Sequence, residues 1–179
     1  MQSAFGRRGV RVLHENKWSR LELWDIVHPN GTPGEHALIR VRQPSGVVAI
    51  DGDDLVLTSQ HRFAIDEHVL EIIKGGAEDG EDALACARRE AREEAGLVGG
   101  RWISLGVVHE IPSTVASPIE VFLAQGCAFE HPSPEQVESI SLVRIPFAEA
   151  VRRAVTGGID DAVTVAALCR AAFALGRLP

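Results

Sequence analysis

The stretch Gly75–Leu97, GGAEDGEDALACARREAREEAGL, constrains this chain more than any other. A run carrying three glycines, Lys74-Gly75-Gly76-Ala77-Glu78-Asp79-Gly80, leads into a segment of helical periodicity. Ala83, Leu84, Ala87 and Ala91 form an apolar stripe at helical spacing, widened by Ala85, Cys86 and Ala95. The pattern predicts a helix from near Glu81 to a C-cap at Gly96. Glu90 and Glu94 then share one face, with Glu93 beside them. Three carboxylates so close together repel one another. A hard divalent cation removes that penalty, since Mg²⁺ favours carboxylate oxygens and keeps positions for water and substrate phosphates. A solvated helix end neutralised by Arg88, Arg89 and Arg92 satisfies the same spacing, so spacing alone leaves both readings open. Gly75 and Gly76 can bring backbone groups close to a cation or a phosphate.

Gly75, Glu81, Arg89-Glu90-Ala91, Glu93-Glu94 and Gly96-Leu97 stand at the spacing of one family's signature. The segment resembles the box of the Nudix hydrolases, with Ala91 a small occupant of an aliphatic position. The resemblance implies that Glu90 and Glu94 are the main metal ligands, with Glu93 a further ligand or a water-orienting group. It assigns Arg89 to holding the glutamates by ion pairing, and Glu81 to bracing the loop and helix through Arg89. The main-chain carbonyl of Lys74 is a further implied ligand. Mg²⁺, with Mn²⁺ as the alternative, would clamp a diphosphate and activate the attacking water.

Flanking segments extend the likeness towards the ADP-ribose pyrophosphatase branch. Leu55–Phe63 resembles a strand followed by a glutamine-aromatic-arginine segment, with His61 in the aromatic place. Arg62 is then the candidate for bidentate contact with substrate phosphate; the alternative is a surface arginine at a strand end. Leu70–Gly75 resembles the strand into the box, with Glu71 at its acidic position and Ile73 where proline is usual. Ile111–Glu120 resembles a segment before a later metal-contacting glutamate, which makes Glu120 a candidate ligand or else a strand-opening acid. A proline-containing acidic loop follows, where the resemblance places a catalytic base at Glu135, with Glu138 as second choice.

A chain of 179 residues can bury one substantial core. No apolar run is long enough to span a membrane, and the N-terminus lacks a signal-type apolar core, so the expected location is cytoplasmic. The net charge of −7 argues against broad binding to a nucleic-acid backbone. Cys86, Cys127 and Cys169 lack metal-motif spacing and read as buried thiols.

Residues 1–46 read as an accessory β region, with strands at Arg20–Val27 and Ala37–Val41 around a turn-rich Pro29–Gly34. Residues 47–179 read as the main domain. Its strands are expected at Val47–Ile50, Leu55–Ser59, Trp102–Glu110, Ile119–Ala128 and Ser139–Arg144. A short helix over Phe147–Val155, a break at Gly157-Gly158 and a helix over Ala162–Leu175 capped by Asp160 or Asp161 complete it. The second helix presents Val163, Val165, Ala166, Leu168, Ala172 and Phe173 as its packing face. The fold class expected is α/β (α+β): the resemblance implies a Nudix α/β/α sandwich with a mixed sheet, plus a small N-terminal antiparallel β region. It also implies a homodimer through that region, with Trp18 or Trp24 stacking on a nucleobase; core or interface packing is the alternative for both.

The function expected is metal-dependent hydrolysis of a nucleoside diphosphate derivative, with ADP-ribose giving AMP and ribose 5-phosphate as the first substrate. GDP-mannose or another nucleotide sugar is the alternative substrate. A non-catalytic nucleotide sensor and a structural interaction protein are the rival classes.

Overall fold

The computed structural model describes residues 4–42, 44–132 and 140–177. These divide into two compact units, one within Met1–Arg42 plus His109–Ser117, the other within Gln43–Val108 plus Pro118–Pro179.

In the first unit, β1 (Gly6–Glu15), β2 (Ser19–Val27) and β3 (Pro33–Val41) form an antiparallel sheet in the order β1-β2-β3. The strand β1 lies where no strand is predicted, because its arginines and glycines hide the alternation. Glu22 is buried in this sheet and takes a hydrogen bond from Trp24 Nε1 at 2.7 Å and ion pairs from Arg20 and Arg40. The segment His109–Ser117 lies along β3. Ile39 N donates to Thr114 O, and Ala116 N donates back to Ile39 O.

The second unit is built on a mixed sheet. Its strands are β4 (Pro44–Asp51), β5 (Asp54–Arg62), β6 (Glu67–Glu71), β7 (Ile73–Gly76), β9 (Arg101–Val108), β10 (Ile119–Gln125) and β12 (Ile140–Pro146). The backbone order is β12-β5-β4-β10-β9, with β6 paired to β5 and β7 to β4. Only β10 against β4 is parallel among these described pairings. A two-stranded ribbon joins β8 (Leu97–Val98) to β11 (Ala128–Phe129). The helices are α1 (Ala83–Ala95), α2 (Phe147–Thr156) and α3 (Ala162–Ala174).

Strand β4 carries the run Gly46-Val-Val-Ala-Ile50 because both of its faces are covered. Val47, Ala49 and Val56 pack with Ala87, Ala91 and Ala95 of α1. Val48, Ile50, Leu55 and Leu57 pack with Phe147, Ala150, Val163 and Leu168 of α2 and α3. That gives the expected sandwich of helix, mixed sheet and helices.

Several local expectations are corrected. Lys74–Gly76 is strand rather than turn, because β7 pairs with β4 from Ile73↔Val47 to Gly76↔Pro44. Helix α1 starts at Ala83, since Asp82 rather than Glu81 caps it by accepting from Ala85 N at 2.8 Å. Phe173 is 75% exposed; the buried face of α3 runs through Val163, Thr164, Ala167, Leu168, Ala171 and Ala172. Cys127 and Cys169 are partly exposed, and only Cys86 is buried.

Candidate active site

Helix α1 turns its acidic face towards β7. Arg89 is the hub of that face. Its Nε and Nη2 donate to the two oxygens of Glu81, each at 3.0 Å. Its Nη1 donates to Glu90 Oε1 at 2.8 Å and Glu93 Oε2 at 3.0 Å, and Nη2 also donates to Gly76 O at 2.8 Å. One guanidinium therefore ties the loop before the helix to two turns of the helix. The fork geometry of arginine makes this possible; a lysine could not hold both oxygens of Glu81 in one plane. The hydrogen bond from Arg89 holds the Glu81 carboxyl below the usual range, and the same bond raises Arg89 above its own.

Gly75 gives Glu90 its place. A Cβ on Gly75 would stand 1.9 Å from Glu90 Cδ, so the carboxylate lies where any other residue has a side chain. Glu94, one turn on from Glu90, is buried, 8% exposed beside Ala91 and Ala95. Cys86 donates from Sγ to Gly75 O, and burial pushes its thiol up, which argues against a nucleophilic thiolate.

The sheet register extends the row. Glu120 pairs with Ser45 on β4, and Ser45 pairs with Gly75 on β7. Ser45 Oγ donates to Ala83 O of α1, so this row faces α1. Glu120 shares its strand face with Phe122, two residues on, which also packs on the α1 side, and it accepts from Ser104 Oγ at 2.9 Å. Topology thus brings Glu120 to the same sheet face as the box acids.

Arg62 and Glu71 form an ion pair, with Nε and Nη2 of Arg62 both donating to Glu71 Oε2. Glu71 Oε1 takes Lys74 Nζ at 3.1 Å. Both oxygens of Glu71 therefore meet cations of the chain itself, so the predicted metal contact is met here by protein partners. The Lys74 side chain also reaches Asp161 Oδ1 at 2.9 Å. Sequence reading found Asp161 only as a helix cap; no local signal links it to a lysine 87 positions away.

Trp18 and Trp24 lie in the first unit. Trp18 is 53% exposed, with Lys17 Nζ 4.2 Å from its ring centroid. Trp24 lines a cavity with Phe5, Arg7, Ile26, His36 and Leu38, and the Arg7 guanidinium carbon stands 5.3 Å from its ring centroid. Glu135 and Glu138 lie outside the described residues.

Among the described residues, no group of three or more His, Cys, Asp or Glu side chains is gathered closely enough to hold a metal ion. Arg89 instead holds Glu90 and Glu93. The donor set nevertheless fits a hard divalent cation. Carboxylate oxygens are hard donors, and Glu81, Glu90 and Glu93 converge on Arg89 with Glu94 buried on the same helix.

A family model, the NUDIX domain, matches residues 41–140. The chain belongs to the NUDIX family. It is a Nudix-type pyrophosphohydrolase, a class that works with divalent metal and hydrolyses diphosphate-containing nucleotide derivatives. The chain is 28% identical over 159 residues to the CMP-5'-(N-acetyl-N-hydroxy-3-aminopropyl)phosphonate hydrolase of Streptomyces rubellomurinus, covering 84% of this chain and 76% of that protein. It is 24% identical over 161 residues to the ADP compounds hydrolase NudE of Escherichia coli, covering 89% and 87%. An RNA pyrophosphohydrolase of Dinoroseobacter shibae is 41% identical over 66 residues, 37% of this chain and 41% of that one. A crystal structure of an ADP compounds hydrolase superposes with a TM-score of 0.83 at 21% identity over 97% of each chain, which shows the shared Nudix fold. No helix among the described residues is long and apolar enough to cross a membrane.

Proposed function

We propose that this Nudix enzyme hydrolyses the diphosphate of ADP-ribose to AMP and ribose 5-phosphate. The observation that carries the assignment of roles is the contrast between two arginines. Arg89 commits its donors to Glu81, Glu90, Glu93 and Gly76, which suits a group that holds the acids. Among the described residues Arg62 is tied at Nε and Nη2 only, and its side chain is 40% exposed, which suits a group that receives a phosphate.

Glu90 and Glu94 would hold Mg²⁺, or Mn²⁺ in its place, with Glu93 as a further ligand or water-orienting group. The main-chain carbonyl of Lys74 and the carboxylate of Glu120 are additional donors. Glu71 would join them only by releasing Arg62 or Lys74. When bound, the cation neutralises developing phosphoryl charge and activates water. The chain's own residues do the remainder: Arg62 orients the diphosphate, Gly75 and Gly76 allow close approach, Arg89 keeps the glutamates in register, and Glu135 takes the proton of the attacking water. Trp18 or Trp24 would stack on the base. The exposed Val10, Val12 and Leu13 of β1 support a homodimer through the first unit, and the protein acts in the cytoplasm.

The likeness to a hydrolase named for a CMP-linked phosphonate favours a second reading, a cytidine rather than an adenosine substrate. Nucleotide sugars such as GDP-mannose complete the panel. Products are separated by chromatography with Mg²⁺ and with chelator, and Glu94→Gln is the control, with dimer mass read by sedimentation on the same preparation. AMP release from ADP-ribose is expected, and the control should lose about 100-fold or more in rate, the effect of several kcal/mol of lost charge stabilisation. Turnover of a different diphosphate moves the substrate. Turnover of none overturns the proposal, and a single-chain mass overturns the dimer.

A further inference from the structure

Four charged side chains from separate elements of the second unit form one continuous line of contacts. Arg62 ends β5, Glu71 ends β6, Lys74 lies in β7 and Asp161 caps α3. Their charges alternate. Arg62 donates to Glu71 Oε2, Lys74 Nζ joins Glu71 Oε1 to Asp161 Oδ1, and the Lys74 side chain is only 11% exposed. The far end is anchored. Asp161 Oδ2 accepts from Thr164 N at 2.8 Å and Thr164 Oγ1 at 2.6 Å. Thr164 Oγ1 in turn accepts from Ile72 N at 3.0 Å, between Glu71 and Lys74.

Each link removes a freedom that the previous one leaves. Arg62 has a long side chain with several rotatable bonds, and Glu71 fixes its Nε edge. Glu71 alone could swing with it, but Lys74 holds its second oxygen. Lys74 is itself long and flexible, and Asp161 holds it to the first turn of a packed helix. Withdrawing the charges of Glu71, Lys74 and Asp161 from water is costly, and well-packed apolar residues would serve stability equally well. What apolar residues could not do is aim a guanidinium.

We propose that Asp161 is a positioning residue which, through Lys74 and Glu71, holds Arg62 in the direction that receives the substrate diphosphate. The proposal rests on Arg62 being the diphosphate-binding group. Asp161 itself lies outside the stretch matched by the family model.

The test compares Asp161→Asn, Arg62→Ala and the double variant. Asparagine caps helices as well as aspartate does, so α3 keeps its first turn while Lys74 loses its counter-charge. Two readouts are taken: KM and kcat on the diphosphate turned over, and Kd for ADP by calorimetry in chelator. Asp161→Asn should raise both KM and Kd about tenfold, the scale of losing an outer partner of a binding group, with a smaller change in kcat. In the Arg62→Ala background the same change should add little, because the group it positions is gone. A merely structural role would lower Tm and leave KM and Kd in place. If Arg62→Ala weakens binding and Asp161→Asn does not, the proposal is overturned while the reading of Arg62 stands. An Asp161→Asn effect that persists in full without Arg62 also overturns it. If Arg62→Ala leaves KM and Kd unchanged, the reading of Arg62 falls and the proposal falls with it. Asp161→Ser, another effective cap, replaces Asp161→Asn if that protein does not fold.

Discussion

Gly75 leaves open the volume that the Glu90 carboxylate fills. With a Cβ at position 75 the Glu90 carboxylate must leave, because the overlap falls on its carbon and both oxygens; these are the far end of a flexible side chain, so the carboxylate turns away while the backbone stays in place. Gly75→Ala should therefore act on chemistry more than on folding. Activity should fall about 100-fold, as for an ångström-scale misplacement of a reacting group. Crowding of this kind costs roughly 1–3 kcal/mol, so Tm should fall by only several degrees. Assay and thermal melt on one preparation check this, and a large Tm loss with activity per folded molecule intact would refute it. The glycine and the glutamate were both legible in sequence from their spacing. The contact between them was not, since β7 pairs with β4 before it can face α1. Arg89 was likewise legible as a holder of acids, while its bond to Gly76 O depends on the same tertiary approach.

At the scale of elements, α1 is set by its two ends. Asp82 accepts from Ala85 N, and Gly96 closes the helix at φ +68°, its N–H bonding to Ala91 O and Arg92 O. Asp82→Ala should cost about 1 kcal/mol and lower Tm by about 2–4 °C in a chain of this size. Because Glu81, next to the cap, carries the pair with Arg89, the loss should also loosen the site. Thermal unfolding checks the first part; an unchanged Tm would mean that Glu81 alone fixes the start of α1. Helix boundaries were read to within a few residues because caps and glycines are local signals. Strand β1 was missed because Gly6, Gly9 and its arginines disguise the alternation, and its pairing with β2 carries two register shifts. The exposure of Phe173 was missed for another reason: α3 is apolar nearly all round, so periodicity does not choose its buried face.

For the whole molecule, acid sensitivity follows from buried carboxylates. Burial works to raise the Glu22 pKa, but hydrogen bonds from Trp24 and Arg40 and the charges of Arg40 and Arg20 outweigh it, so the carboxyl titrates below the usual range. A depressed folded pKa contributes stability above the unfolded value of about 4.3 and loses it as pH falls through the folded one. Asp161 behaves in the same sense, with Lys74 and Thr164 outweighing burial. Tm should thus hold steady down to about pH 5 and fall steeply below about pH 4. Glu22→Gln should flatten the part of that fall that belongs to the first unit; an unaltered acid limb would refute the assignment. The sequence by itself determined the family, the acidic face of α1 and the helix between caps, because these rest on short-range spacing that fixes which side chains share a face, and the layered class of fold followed from the family resemblance. Only the tertiary structure decided that His109–Ser117 lies along β3, that Glu120 joins the row of Ser45 and Gly75, and that Asp161 reaches Lys74. These are contacts between segments tens of residues apart. They are set by strand register and by which face of each element is buried, and neither is written in any local pattern.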